Sequence, residues 1–206
     1  MATKIYVVGN KVDIPDLQKV SQHNYLDTIV FVGKMNYEPN VVAVLHFANN
    51  VFPILCLDYP KLKFVIVGAH PDERVKKMAK NENIIVTGYV ESVEPYYQRA
   101  TIVVAPMLSG AGIQNKIIQA MSYACCVVTT SIGAEGLHID HEIAIVDKDE
   151  SMIETISFLL SNRKARLLMG KRARQYVVNN LSEDIIRKQF SDFMSKLDEV
   201  ASKNDV

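Results

Sequence analysis

Short β-branched runs that close on glycine or proline recur along this chain, and they alternate with longer stretches whose apolar residues fall at helical spacing. That alternation is the pattern of an α/β fold built on a parallel sheet. Six runs can be named: Thr28-Ile-Val-Phe-Val-Gly33, Phe64-Val-Ile-Val-Gly68, Ile84-Ile-Val-Thr-Gly88, Thr101-Ile-Val-Val-Ala105, Cys126-Val-Val-Thr-Thr130 and Ile143-Ala-Ile-Val146. They are continuously apolar rather than alternating, as strands buried on both faces are. Between the first two, Pro39 suits a first helical turn, and Val41, Val44, Leu45, Ala48, Val51 and Leu55 follow as one crossover helix. Pro71 is expected to open a second helix through Lys80, Ser92 to cap a third through Arg99, and Gly112 to lead a fourth ending near Ala124. Everything from Asp149 reads helical, with Ser182 as an N-cap and Ile186, Phe190, Phe193, Leu197 and Val200 as one stripe.

No repeat, low-complexity stretch or linker divides the 206 residues, which fit one domain, 1–206, at the large end of the usual range. Lys and Arg number 23 against 23 Asp and Glu, so no broad basic field favours a nucleic acid partner. The adjacent Cys125 and Cys126 would point to opposite faces of a strand, and with Cys56 they read as reduced structural thiols in a cytoplasmic setting. The first residues lack the apolar core of a signal peptide, and no run reads as long and apolar enough to span a bilayer. Membrane contact is therefore expected to be peripheral.

In an open parallel sheet, ligands bind beyond the carboxyl ends of the strands, and nearly all the glycines lie in those loops. Gly33 and Gly68 are equally well explained by turn geometry; the longer glycine loops are not. Ser109-Gly-Ala-Gly-Ile-Gln-Asn-Lys116 sets a flexible loop directly before a helix, where free N–H groups and the helix dipole attract an anion. Lys116 would add a charge to the same anion or else stand solvated. The loop completes neither a Walker A motif nor a dinucleotide fingerprint. His23, His46, His70, His138 and His141 lack metal-ligand spacing, so no metal and no cofactor are expected, and no nucleophile elbow points to a hydrolase.

Nearly end to end, the chain resembles the C-terminal donor-binding domain of the group 1 retaining glycosyltransferases of the GT-B fold. The likeness rests on Val8-Gly-Asn-Lys-Val-Asp13, Phe31-Val-Gly-Lys-Met-Asn-Tyr-Glu-Pro-Asn40, Val65-Ile-Val-Gly68, Val86-Thr-Gly-Tyr-Val90, Pro95-Tyr-Tyr97 and Ala105-Pro106 in family order. Gly110-Ala-Gly-Ile-Gln-Asn-Lys-Ile-Ile-Gln-Ala-Met121 and Val127-Val-Thr-Thr-Ser-Ile-Gly-Ala-Glu-Gly-Leu137 complete the series. The resemblance implies a Rossmann-like three-layer domain with a six-stranded parallel sheet and C-terminal helices, one half of a GT-B pair.

It further implies a nucleotide-sugar donor as partner. Lys34 would meet the diphosphate, Gly88, Tyr89 and Val90 the base, and Ser109, Gly110 and Gly112 the phosphates, with Lys116 beside them. A second family lysine is replaced by Asn40. The family's two acidic residues on the signature helix are also absent: Ala111 stands at the first place and Gln119, which would bind the ribose, at the second. Glu135 is either a sugar contact or a plain loop carboxylate. No catalytic residue is assigned. The acceptor side would lie in an N-terminal domain outside this chain, toward which the last helix would cross, so the chain alone is expected to be inactive in sugar transfer for polysaccharide biosynthesis. The alternative is a degenerate, non-catalytic binding or regulatory module. A related epimerase would need carboxylates and a histidine that are not in place.

Overall fold

The computed structural model describes residues 12–16 and 27–204, with side chains as far as residue 196. His23, most of the Val8–Asp13 segment and the side chains of Leu197 and Val200 lie outside the described residues. The six runs form β1 (Thr28–Val32), β2 (Lys63–Val67), β3 (Ile84–Val86), β4 (Ile102–Ala105), β5 (Val127–Thr129) and β6 (Ala144–Ile145). They pair in one all-parallel sheet in the order β3-β2-β1-β4-β5-β6. β1, β2, β3 and β5 stop short of the glycine or threonine that closes their runs, whereas β4 reaches Ala105, the end of its own. β1 is central, and Ile29, Val30 and Phe31 are fully or almost fully buried. Period-two alternation sends Ile29 and Phe31 into one core layer and Val30 and Val32 into the other.

The first layer is covered by α1 (Glu38–His46), a π-helical turn (Phe47–Val51), α2 (Phe52–Asp58), α3 (Glu73–Met78) and α6 (Asp149–Ser161). The second is covered by α4 (Glu94–Arg99), α5 (Asn115–Ser122) and α7 (Arg163–Leu181). The chain thus folds as a Rossmann-like α/β domain, and α8 (Glu183–Asn204) closes it against α7.

Several local expectations are corrected. The first crossover is not one regular helix: Pro53 has no N–H to give the carbonyl four residues back, and Phe52 N–H instead reaches Phe47 O, five residues back. The span Glu38–Asp58 is long and apolar enough to cross a membrane by length and composition, contrary to the sequence reading. Half of it is buried here, with Val41, Val44, Phe47, Val51 and Leu55 in the core. Helix α3 begins at Glu73 rather than Pro71 because Asp72 caps it, accepting the Arg74 N–H. Val93 takes the cap position of α4, although Ser92 Oγ still accepts the Glu94 N–H at 3.2 Å. Helix α5 starts three residues after Gly112, whose φ of 73° is left-handed and cannot continue a helix.

Ser182 is extended between α7 and α8, and its carbonyl accepts the Ile186 N–H. The stripe of α8 is not buried on the sheet: Phe190 is 53% exposed. Cys125 and Cys126 separate into the two layers, as their adjacency requires. Burial raises the Cys125 thiol pKa far above the ordinary range and pushes Cys126 up to about 12, so both are inert.

Candidate functional site

Strand order reverses direction between β1 and β4, the sheet's switch point, where the loops leaving neighbouring strands part toward opposite layers and open a crevice. Its two walls are residues 33–37 after β1 and residues 106–114 after β4. The first wall is pinned to the loop after β2: Gly33 N–H donates to Val67 O at 2.9 Å, and Met35 N–H to Ala69 O at 3.0 Å. A side chain at Gly68 would lie 1.7 Å from the Gly33 carbonyl, so this glycine is fixed by close backbone approach and turn geometry. The second wall is anchored from the end of β5 and the residue after it: Thr129 Oγ1 donates to Ala105 O at 2.7 Å and Thr130 Oγ1 to Met107 O at 2.6 Å.

Lys116 joins the walls. It stands on α5, in the second layer, yet its ammonium crosses the sheet edge to donate to Asn40 Oδ1 on α1, in the first, at 2.5 Å. It also lies 3.4 Å from Met107 Sδ and 4.9 Å from the Phe31 ring centroid. Asn40 Nδ2 donates to the Lys34 carbonyl at 3.0 Å, and Asn40 is only 4% exposed. No carboxylate pairs with Lys116 among the described residues. Burial alone brings its pKa down to about 8.

Around this link the predicted residues divide. The Lys34 side chain is exposed at the rim, and Ser109, Gly110 and Gly112 form an exposed loop before α5, which opens without a side-chain cap. Glu135 Oε2 accepts the Gly112 N–H at 2.9 Å, so this carboxylate holds one of the amides an anion would use. Gln119 is set beside Tyr97, whose hydroxyl lies 3.4 Å from Gln119 Oε1 and 3.3 Å from the Lys116 carbonyl. Gly88, Tyr89 and Val90 stand apart after β3, two strands from the switch point, where the Gly88 carbonyl accepts from Thr87 Oγ1 at 2.9 Å. Tyr89 is 76% exposed there, and Gly88 is left-handed with φ 70°.

The sequence reading missed Phe31 and Met107 as the walls around Lys116, and it missed the Asn40 bridge. Phe31, Asn40 and Tyr97 lay within quoted motifs, but nothing local shows that they and Met107 meet around Lys116, because they converge from separate elements. No cluster of three or more metal-ligating side chains occurs among the described residues.

A doubly wound parallel sheet with a glycine loop, an uncapped helix start and an amine at its switch point is a Rossmann-like arrangement that gathers positive groups in one crevice. The sequence profile described as Glycosyl transferases group 1 matches residues 27–162, and the chain belongs to that family. A Klebsiella pneumoniae protein described as an uncharacterized 44.6 kDa protein in the cps region is 30% identical over 141 residues, covering 64% of this chain and 36% of its own length. The chain thus spans about a third of that relative.

Among solved structures, a mutant of TarM from S. aureus in complex with Fondaparinux, alpha-GlcNAc-glycerol and UDP superposes with a TM-score of 0.75 at 18% identity, covering 93% of this chain and 39% of TarM. The C-terminal domain of LpcC, a glycosyl transferase group 1 family protein from Francisella tularensis, superposes with a TM-score of 0.60 at 17% identity, covering 85% of this chain and 97% of that domain.

Proposed function

We propose that this chain is the donor-binding domain of a retaining glycosyltransferase, holding a nucleotide-diphosphate sugar whose sugar is passed to an acceptor bound by a second domain. The carrying observation is the Lys116 ammonium, charged and without a carboxylate partner among the described residues, at the switch point between a glycine loop and the Lys34 rim. Such a group in a partly dry crevice attracts a diphosphate more strongly than a solvated lysine does. During transfer, negative charge grows on the leaving diphosphate. Lys34, Lys116 and the N–H groups ahead of α5 would stabilise it without a metal ion. UDP in the TarM complex and the cps-region location of the Klebsiella relative support a nucleotide-sugar donor and a role in polysaccharide biosynthesis.

Coverage of about a third of the relatives' lengths supports an acceptor-binding partner domain, and the exposed Phe190 of α8 gives that domain a surface to meet. On this reading the chain alone binds donor and transfers nothing. Calorimetric titration with UDP, GDP and their sugars tests it: saturable binding is expected. Silence across all of them would leave the second reading, a degenerate module, which the neutral Gln119, Asn40 and Ala111 favour.

A further inference from the structure

A lysine whose ammonium is partly buried is ordinarily matched by a carboxylate, because burial strips the ammonium of water and leaves an unpaired charge costly. Lys116 instead has a neutral amide, a thioether and an aromatic face, which satisfy part of its donor capacity and leave its charge uncancelled. Asn40 is itself fixed. Its Nδ2 is committed to the Lys34 carbonyl, and a Cβ at Gly33 would come within 2.7 Å of that nitrogen, so the absent side chain leaves room for the amide. An amide can donate to a carbonyl and accept from an ammonium at once. An aspartate in its place could accept, but it would neutralise the lysine and turn an oxygen toward the Lys34 carbonyl.

We propose that Asn40 is a positioning residue that holds the Lys116 ammonium, still charged, at the head of the crevice, so that the bound diphosphate supplies the missing counter-ion. The inference rests on the donor-binding reading above. It links binding to a proton. Burial depresses the Lys116 pKa to about 8, and no charged side chain of β1, the loop after it, α1, α4 or the loop after β4 contributes to that displacement. A diphosphate against the ammonium restores the charged form. Below about pH 8 the free protein already carries the proton; above it, binding must take one up, and affinity falls as pH rises.

The test is calorimetric titration of the 206-residue chain with UDP, GDP and inorganic pyrophosphate near pH 7 and near pH 9.5, in two buffers of different ionisation enthalpy. The same is done for Asn40→Asp and Asn40→Ala, and the Lys116 side chain is titrated by ¹³C NMR without ligand. Wild type is expected to bind about tenfold or more weakly at the higher pH, with about one proton taken up. Asn40→Asp is expected to lose about tenfold in affinity near pH 7 and to raise the Lys116 midpoint above about 8, because a carboxylate neutralises the ammonium. Asn40→Ala is expected to lose about fivefold.

Diphosphate binding whose affinity and pH dependence are unchanged in both variants would overturn the role of Asn40 and leave the donor reading standing. A Lys116 midpoint near its ordinary 10.5 in the wild type would also overturn it, whether or not a variant folds. Binding of no probe by the wild type would sink both.

Discussion

The crevice at the switch point and the loop after β3 are built differently. At the β1/β4 switch point the walls are cross-linked before any ligand arrives: Lys34, Asn40 and Lys116 form a continuous chain of contacts, and Gly112 is tied to Glu135. After β3, Gly88 to Val90 present backbone and one exposed tyrosine ring, with the Gly88 carbonyl held only by the adjacent Thr87 hydroxyl among the described residues. The difference follows from what each region would recognise. A diphosphate carries charge, and a preorganised cation responds to charge most strongly where water is thinned. A base can be held by backbone groups of a turn, which need no tuning of charge.

The sharpest way to break this contrast is to remove the cation. Lys116→Met is expected to weaken nucleoside diphosphate binding about 100-fold, as truncating a buried charged contact does. The same change should raise stability near pH 7. Keeping Lys116 charged in the fold costs about 3 kcal/mol, from a pKa lowered from 10.5 to about 8. Its loss leaves Asn40 Oδ1 without a donor, which returns roughly 2 kcal/mol of that, so a net gain of about 1 kcal/mol is expected in thermal or urea unfolding. A variant that is both weaker in binding and less stable would mean the lysine is structural.

The next effect is on pH. The unfolded chain holds the Lys116 proton to about 10.5 while the folded chain releases it near 8, so the unfolded state binds more protons in between, and this site adds stability as pH rises through that window. Below about pH 8 its contribution is constant and unfavourable. In urea unfolding across that range the wild type and Lys116→Met should cross, the variant about 1 kcal/mol more stable near pH 7 and the wild type about 2 kcal/mol more stable above about pH 10.5, where only the Asn40 contact still separates them.

Lys34→Ala, at the exposed rim, should cost about tenfold in diphosphate affinity, with the pH dependence kept because that belongs to Lys116. Tyr89→Ala should cost least, under about threefold for UDP or GDP and nothing measurable for inorganic pyrophosphate, if the base is held mainly by backbone. A loss for Tyr89→Ala larger than for Lys34→Ala would reverse the contrast between the two regions.

The legibility of the chain follows the same division. β-Branched runs buried on both faces declare themselves in sequence, since their period and composition follow directly from their environment, and all six strands were read. Gly110, Gly112 and Lys116 were legible because a loop, a helix start and a basic residue adjoin in the chain. The π-helical turn was not read, though Pro53 was its signal. Nor was the transmembrane-like composition of Glu38–Asp58, a span whose apolar length serves a core between sheet and α6.

Asn40 is the residue whose surroundings local sequence described least. By sequence it is the loss of a lysine; in three dimensions it is the partner of another lysine 76 positions away. Local pattern determined the strands, the glycine loops and the crevice end of the sheet, because each is set by neighbours a few residues apart. What a buried amide does to an ammonium from the opposite layer was decided only when the sheet brought β1 beside β4 and set α1 and α5 across its edge.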